Sequence, residues 1–183
     1  MEKKLQQTFI GFIIIVVVLA FLFAGEKKLH NLHQRSFTAQ RSTTLFFKNT
    51  RAFYYGVEEL PEAKMNVYRF GETLKSDTGI YLNFILVHNW LADEVFVITE
   101  PSAALLALGE VAIQIGDSTH MFNKTTMNNE AQYDFAARVV EALLADKPIT
   151  LAAQKQNLFG TADNQSANQK VLEDYFRWVY KYR

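Results

Sequence analysis

Residues 80–99 read IYLNFILVHNWLADEVFVIT. Two apolar runs, IYLNFILVH and EVFVIT, flank a short link rich in Asn and Asp, which are turn formers. Both runs are dense in Ile, Val and Phe, the residues that fit a pleated surface. They predict consecutive strands of an antiparallel sheet. The near-continuous apolar content of 80–88 predicts a central strand covered on both faces.

Working upstream, residues 63–70, AKMNVYRF, alternate and predict another strand. Residues 71–79, GETLKSDTG, supply the hairpin turn between the two. Residues 44–56, TLFFKNTRAFYYG, are crowded with aromatics. As a strand they put Leu45, Phe47, Phe53 and Tyr55 on one face, with Asn49 and Arg51 between. As a helix they give a ridge of Phe46, Phe53 and Val57, capped by Thr43 or Thr44. Aromatic content favours the strand. Residues 57–63, containing Pro61, are expected to connect.

Downstream, residues 101–108, PSAALLAL, fit a short helix with Pro at its first turn and Gly109 at its end. Residues 110–115, EVAIQI, predict a strand, and 118–128 a polar loop. The clearest helix is 130–145: Ala136, Val139, Val140, Leu143 and Leu144 form its stripe, with Asn129 as cap and Gln132 at the capping-box position. Lys147-Pro148 stops it. A short strand at 149–153 and a loop at 154–165 follow. Ser166 to Gln169 is a second capping box, opening a helix that runs to about Tyr182. Its apolar face holds Leu172, Tyr175, Phe176 and Val179. Strands first and helices last predict an α+β domain: an antiparallel sheet with two C-terminal helices packed on one face.

The N-terminus is a different material. From Phe9 to Ala24 the chain reads FIGFIIIVVVLAFLFA, without one charge. Sixteen helical residues rise about 24 Å; adding residues 5–8 and Gly25 gives about 31 Å, enough to span a bilayer. A cleaved signal, a buried core helix and a retained anchor compete. Leu22 or Phe23 occupies a position where cleavage wants a small residue, and Lys and Glu flank the run. Length favours a single-pass signal-anchor over residues 1–25, then a juxtamembrane tether over 26–43 and a soluble domain over 44–183. Lys27, Lys28, Arg35 and Arg41 argue for a cytoplasmic domain. Lys3 and Lys4 before the apolar run argue for export, and an extracytoplasmic (periplasmic) domain is the expectation.

The 183 residues carry 19 basic and 19 acidic side chains, a formal charge of zero that argues against a nucleic-acid partner. There is no Cys, which excludes thiol chemistry, thiolate metal sites and a lipoprotein anchor. The sequence holds no paired-His metalloprotease helix, no Gly-x-Ser-x-Gly elbow, no Ser-x-x-Lys pair and no phosphate-cradling glycine loop. His30 and His33 share a helical face but lack a third ligand nearby. His88 lies beside Asn89, Trp90, Asp93 and Glu94; His120 follows Asp117, Ser118 and Thr119. A membrane-tethered hydrolase using His88 or His120 with nearby carboxylates is the alternative reading; local hydrogen bonding and turn formation explain the same residues.

Fifteen Phe and eight Tyr exceed what a core of this length requires. The leading expectation is a non-enzymatic, protein-binding accessory subunit of a membrane or envelope assembly, without a cofactor or metal. Its lipid contact is the stretch from Phe9 to Ala24, and other membrane or envelope proteins are its partners. The expected docking surface is Tyr175, Trp178, Tyr180 and Tyr182 on the C-terminal helix.

Overall fold

The computed structural model describes Leu32, residues 34–76 and residues 79–179. Its centre is a four-stranded antiparallel meander in the order β1-β2-β3-β4: β1 (Tyr55–Leu60), β2 (Met65–Phe70), β3 (Leu82–Asn89) and β4 (Glu94–Pro101). The link between β3 and β4 is closed by Asn89, whose Oδ1 accepts from Leu91 and Ala92 N–H, and by Asp93 at φ 51°. Such a short polar side chain tolerates the left-handed conformation. The register pairs Phe84 with Thr99, Leu86 with Val97 and His88 with Val95, and these alternate residues are buried on one face.

Two long helices cover that face. The helix Asn129–Leu144 fastens to β4 through Gln132, whose Oε1 accepts both Thr99 N–H (3.0 Å) and Thr99 Oγ1–H (2.8 Å). The helix Ala162–Trp178 fastens to β3. There β2 and β3 part after Tyr68↔Leu86, so Phe84 N–H has no strand partner; Asn168 Oδ1 accepts it at 2.7 Å. Leu82 N–H goes to Leu158 O. A buried Asn83–Asn164–Asn168 network completes the seam.

A second antiparallel sheet, order β6-β5-β7-β8, was not foreseen: β5 (Val111–Ile115), β6 (Ser118–Phe122), β7 (Ile149–Leu151) and β8 (Gln156–Asn157). Residues 118–122 form a hairpin strand rather than a loop, because Gly116 at φ 57° turns the chain back onto β5. Phe135 joins the two sheets, its ring 6.1 Å from Phe84 and 5.3 Å from Phe122.

Among the described residues four α-helices occur in chain order: α1 (Arg41–Thr50), α2 (Ala103–Ala107), α3 (Asn129–Leu144) and α4 (Ala162–Trp178). α1 corrects the strand expected over 44–56. Phe47, its single buried residue, stacks on Trp178 with ring centroids 3.8 Å apart. Thr43 Oγ1–H donates to Trp178 O, and Trp178 Nε1–H donates to Thr44 Oγ1. A strand would present Phe47 without these two threonines at helical spacing. The helix caps also move. Asn128, not Asn129, accepts at the start of α3, and Thr161, not Ser166, at the start of α4. α4 begins earlier because its polar first turns face inward: Asn164 and Asn168 bond the sheet seam.

The expected tether is partly body. Phe37 O accepts Val95 N–H, Ala39 N–H donates to Asp93 O, and Thr38 bridges Glu94, which covers the start of the β4 edge. Leu32 and Ala39 are buried in the same core. Among the described residues no helix is long and apolar enough to cross a membrane; residues 9–24, His30 and His33 lie outside them.

The aromatic stack sets a test. Trp178→Ala removes the partner of Phe47 and opens a cavity also lined by Tyr68 and His88. Urea unfolding should show a loss of about 3–5 kcal/mol. A loss under about 0.5 kcal/mol, the size of a surface change, would contradict this packing.

Candidate functional site

The docking surface expected on the C-terminal helix is not where the aromatics point. Tyr175 and Trp178 are 0 % and 1 % exposed, each within a cluster of rings. The helix uses Leu172, Tyr175, Phe176, Trp178 and Val179 together as core, a wider stripe than the spacing alone indicates. Tyr180 and Tyr182 lie outside the described residues.

Exposed apolar side chains gather elsewhere. Leu45, Phe46, Phe53, Tyr54, Val57 and Leu60 all face solvent along α1, the following 3-10 turn and β1. Phe53 is 68 % exposed, Tyr54 48 % and Val57 47 %. Phe53 and Tyr54 sit between two residues tied to one carboxylate. Arg51 Nε–H reaches both oxygens of Asp174 (2.8 and 2.9 Å), and Tyr55 O–H donates to Asp174 Oδ2 at 2.9 Å. Burial pushes the Asp174 carboxyl above its usual range, opposed by the bonds from Tyr55 and Arg51 and by the charges of Arg51 and Arg177. Burial, and then the Asp174 charge, hold the Tyr55 phenol well above its ordinary value. With residues 51 and 55 both fixed to one carboxylate, the intervening turn Ala52–Tyr54 bows outward and carries two aromatic rings with it. Those rings stand 4.5 Å apart, and the Arg51 guanidinium lies 5.0 Å from the Tyr54 centroid.

β1 is the outer strand of its sheet. Gly71 N–H donates to Tyr54 O, and Trp90 N–H to Lys64 O. Bonded pairs alternate along an antiparallel ladder, so the register makes Gly56–Arg69, Glu58–Val67 and Leu60–Met65 the bonded pairs. Val57 and Glu59 therefore turn both their N–H and C=O away from β2. The connection expected over 57–63 is in its first half this strand. Its signal was Val57 and Leu60 ahead of Pro61, weak because the strand buries only Tyr55.

The two histidines do not assemble chemistry. His88 is buried against Trp178, ring centroids 5.1 Å apart, and neither ring nitrogen has a hydrogen-bond partner among the described residues. Burial first, then the Lys48 charge, lower its pKa, with Asp93 acting in the other direction. It is a neutral core ring rather than a base paired to a carboxylate. His120 sits on β6 beside open hollows that also touch Ser118, Glu110 and Arg138. Burial and Arg138 lower its pKa. No carboxylate bonds it among the described residues, and Thr119 Oγ1–H is engaged by Gln114. Among those residues no group of three or more His, Asp or Glu could hold a metal ion.

His88 makes the fold acid-sensitive. The unfolded chain takes up a proton near pH 6.5, whereas the folded chain resists it until lower pH. This contribution is whole above about pH 6.5 and is lost as pH falls from there toward the folded pKa. In urea titrations at stepped pH, His88→Leu should flatten that part of the profile. An unchanged slope would show that His88 is not held neutral.

Comparison with protein-family models, with characterised proteins and with solved structures gave no match, which leaves the surface of the chain to indicate its role.

Proposed function

We propose that this chain is a membrane-anchored, non-enzymatic subunit whose α+β domain docks another protein of a membrane or envelope assembly. The observation that carries the reading is the exposed set Leu45, Phe46, Phe53, Tyr54, Val57 and Leu60, drawn from one sixteen-residue stretch (45–60) and held in place by a buried carboxylate. Single exposed hydrophobics are ordinary, but several on one continuous segment mark an interaction site. Aromatic and arginine side chains are what such sites favour, and Arg51 and Arg177 lie over the Tyr54 and Phe46 rings. The apolar run from Phe9 to Ala24 supports the anchor, with the domain on the extracytoplasmic side. This reading replaces Tyr175 and Trp178 as the surface, since both serve the core.

Gentle cross-linking in cells, then purification of the full-length protein in mild detergent, tests the role. A stable partner should co-purify, and a Leu45→Ser/Phe53→Ser variant should recover about tenfold less of it while unfolding at the same urea concentration. Recovery as a free monomer only would end the proposal.

A further inference from the structure

We infer that the partner docks by adding an extended, basic segment of its own chain to the open edge of β1. The inference rests on the docking role above and names what occupies it.

The edge is complete as a template. Tyr55 N–H is taken by Ala52 O, but the phase of the ladder turns Tyr55 C=O and both backbone groups of Val57 and Glu59 outward. That is five backbone groups on one side of a six-residue strand. An incoming strand bonds such a row directly, with alternate side chains reading the two faces. Other edges fit less well. The start of β4 is covered by Phe37–Ala39. β6 is also an outer strand, but Met121 is its only exposed large apolar residue. At β1, Phe53, Tyr54, Val57 and Leu60 give the incoming strand an apolar flank.

Charge selects the occupant. Glu58 and Glu59 lie on β1 and Glu62 on the 3-10 turn that follows it, within five residues and all exposed. Arg69 pairs with Glu58 at 2.7 Å, whereas Glu59 and Glu62 have no ion-pair partner among the described residues. Lys64, the nearest cation in sequence, sits over the Trp90 ring. Exposed strand edges are commonly guarded by charge, but here the charges have one sign and the apolar side chains beside them are uncovered. A second copy would set this acidic edge against its own image, and like charges across a ladder are unfavourable. A partner strand with Lys or Arg satisfies it. Val57 and Glu59 share one face of β1, so the partner needs an apolar residue and a basic one two positions apart.

The test uses the full-length protein in detergent micelles, followed by amide NMR. Its probe is a blocked hexapeptide, Thr-Lys-Lys-Val-Thr-Val, with a control in which both Lys are Glu. Binding of the Lys peptide should protect the Val57 and Glu59 amide protons from exchange, and the Glu peptide should bind at least about tenfold more weakly. Val57→Pro deletes an outward N–H and should weaken binding about tenfold or more at unchanged melting temperature. Glu59→Lys, which leaves the backbone intact, should reverse the preference between the peptides. No protection, equal binding of both peptides, or unaltered binding by Glu59→Lys would overturn the inference. So would protection of the same amides without peptide in a sedimenting dimer, which would assign the edge to a second copy. Cross-linked partner recovery that survives Val57→Pro but not Leu45→Ser/Phe53→Ser would sink strand addition alone; absence of any cross-linked partner would sink the docking role itself.

Discussion

Asp174 is a carboxylate on α4, buried beneath Arg51 and Tyr55, and through it the end of α1 and the start of β1 are tied to that helix. Burying a charge is costly unless it is paired and fully hydrogen-bonded. Here a guanidinium and a phenol supply the bonds, and each comes from a different element: the end of α1 and the start of β1. Removing Asp174 would take this partner from both Arg51 and Tyr55, and removing either of those would leave the buried carboxylate with fewer bonds. The cluster therefore fixes the angle at which α1 leaves α4 and the point at which β1 joins β2. Next to it, the Phe47–Trp178 stack and the Tyr55–Tyr68 and Tyr55–Phe70 contacts fill the apolar space. Polar bonds choose the geometry, and apolar contact supplies most of the favourable free energy.

The same logic of satisfied backbone groups separates the covered stretches of sheet edge from β1. Where β2 parts from β3, the protein spends Asn168 and Leu158 O on two orphaned N–H groups. Where β4 would be exposed, residues 37–39 return to cover it. The Asn83–Asn164–Asn168 seam shows that unpaired strand edges are capped when they fall inside. β1 receives no such treatment, and its outward groups face water beside uncovered rings. Among the described residues β1 is the outer strand with uncovered aromatic and aliphatic side chains beside it, which is consistent with use, because long unprotected edges otherwise invite aggregation.

Much of the sheet was legible from sequence because β3 is a near-continuous apolar run, β4 alternates, and the links carry strong turn residues. α3 was legible because its stripe is long and helical in period. The failures share one cause: tertiary contacts overrode local preference. Residues 41–50 have aromatic, strand-like content, yet Phe47, Thr43 and Thr44 meet Trp178 only from a helix. α4 starts before its apparent capping box because Asn164 and Asn168, polar and unremarkable in sequence, are internal partners of the sheet. The surface of interest was misplaced for a related reason. Aromatic content marks burial and interfaces alike, and only packing shows that Trp178 is buried while Phe53 faces solvent.

The position of Leu32 links the body to the proposed anchor. It is buried in the core, so seven residues, 25–31, separate it from Ala24. Fully extended, they reach about 25 Å. With the apolar run lodged in lipid, as proposed, the domain cannot drift far from the bilayer surface, and neither can a partner anchored in the same membrane. Five backbone bonds and a small apolar flank make a weak contact on their own, since each bond contributes only about 0.5–1.5 kcal/mol net. Confinement raises the effective concentration of the two chains toward the millimolar range, where a weak edge-to-strand contact becomes occupied. A short tether and a modest docking edge therefore suit one another: the first supplies the proximity that the second lacks in affinity.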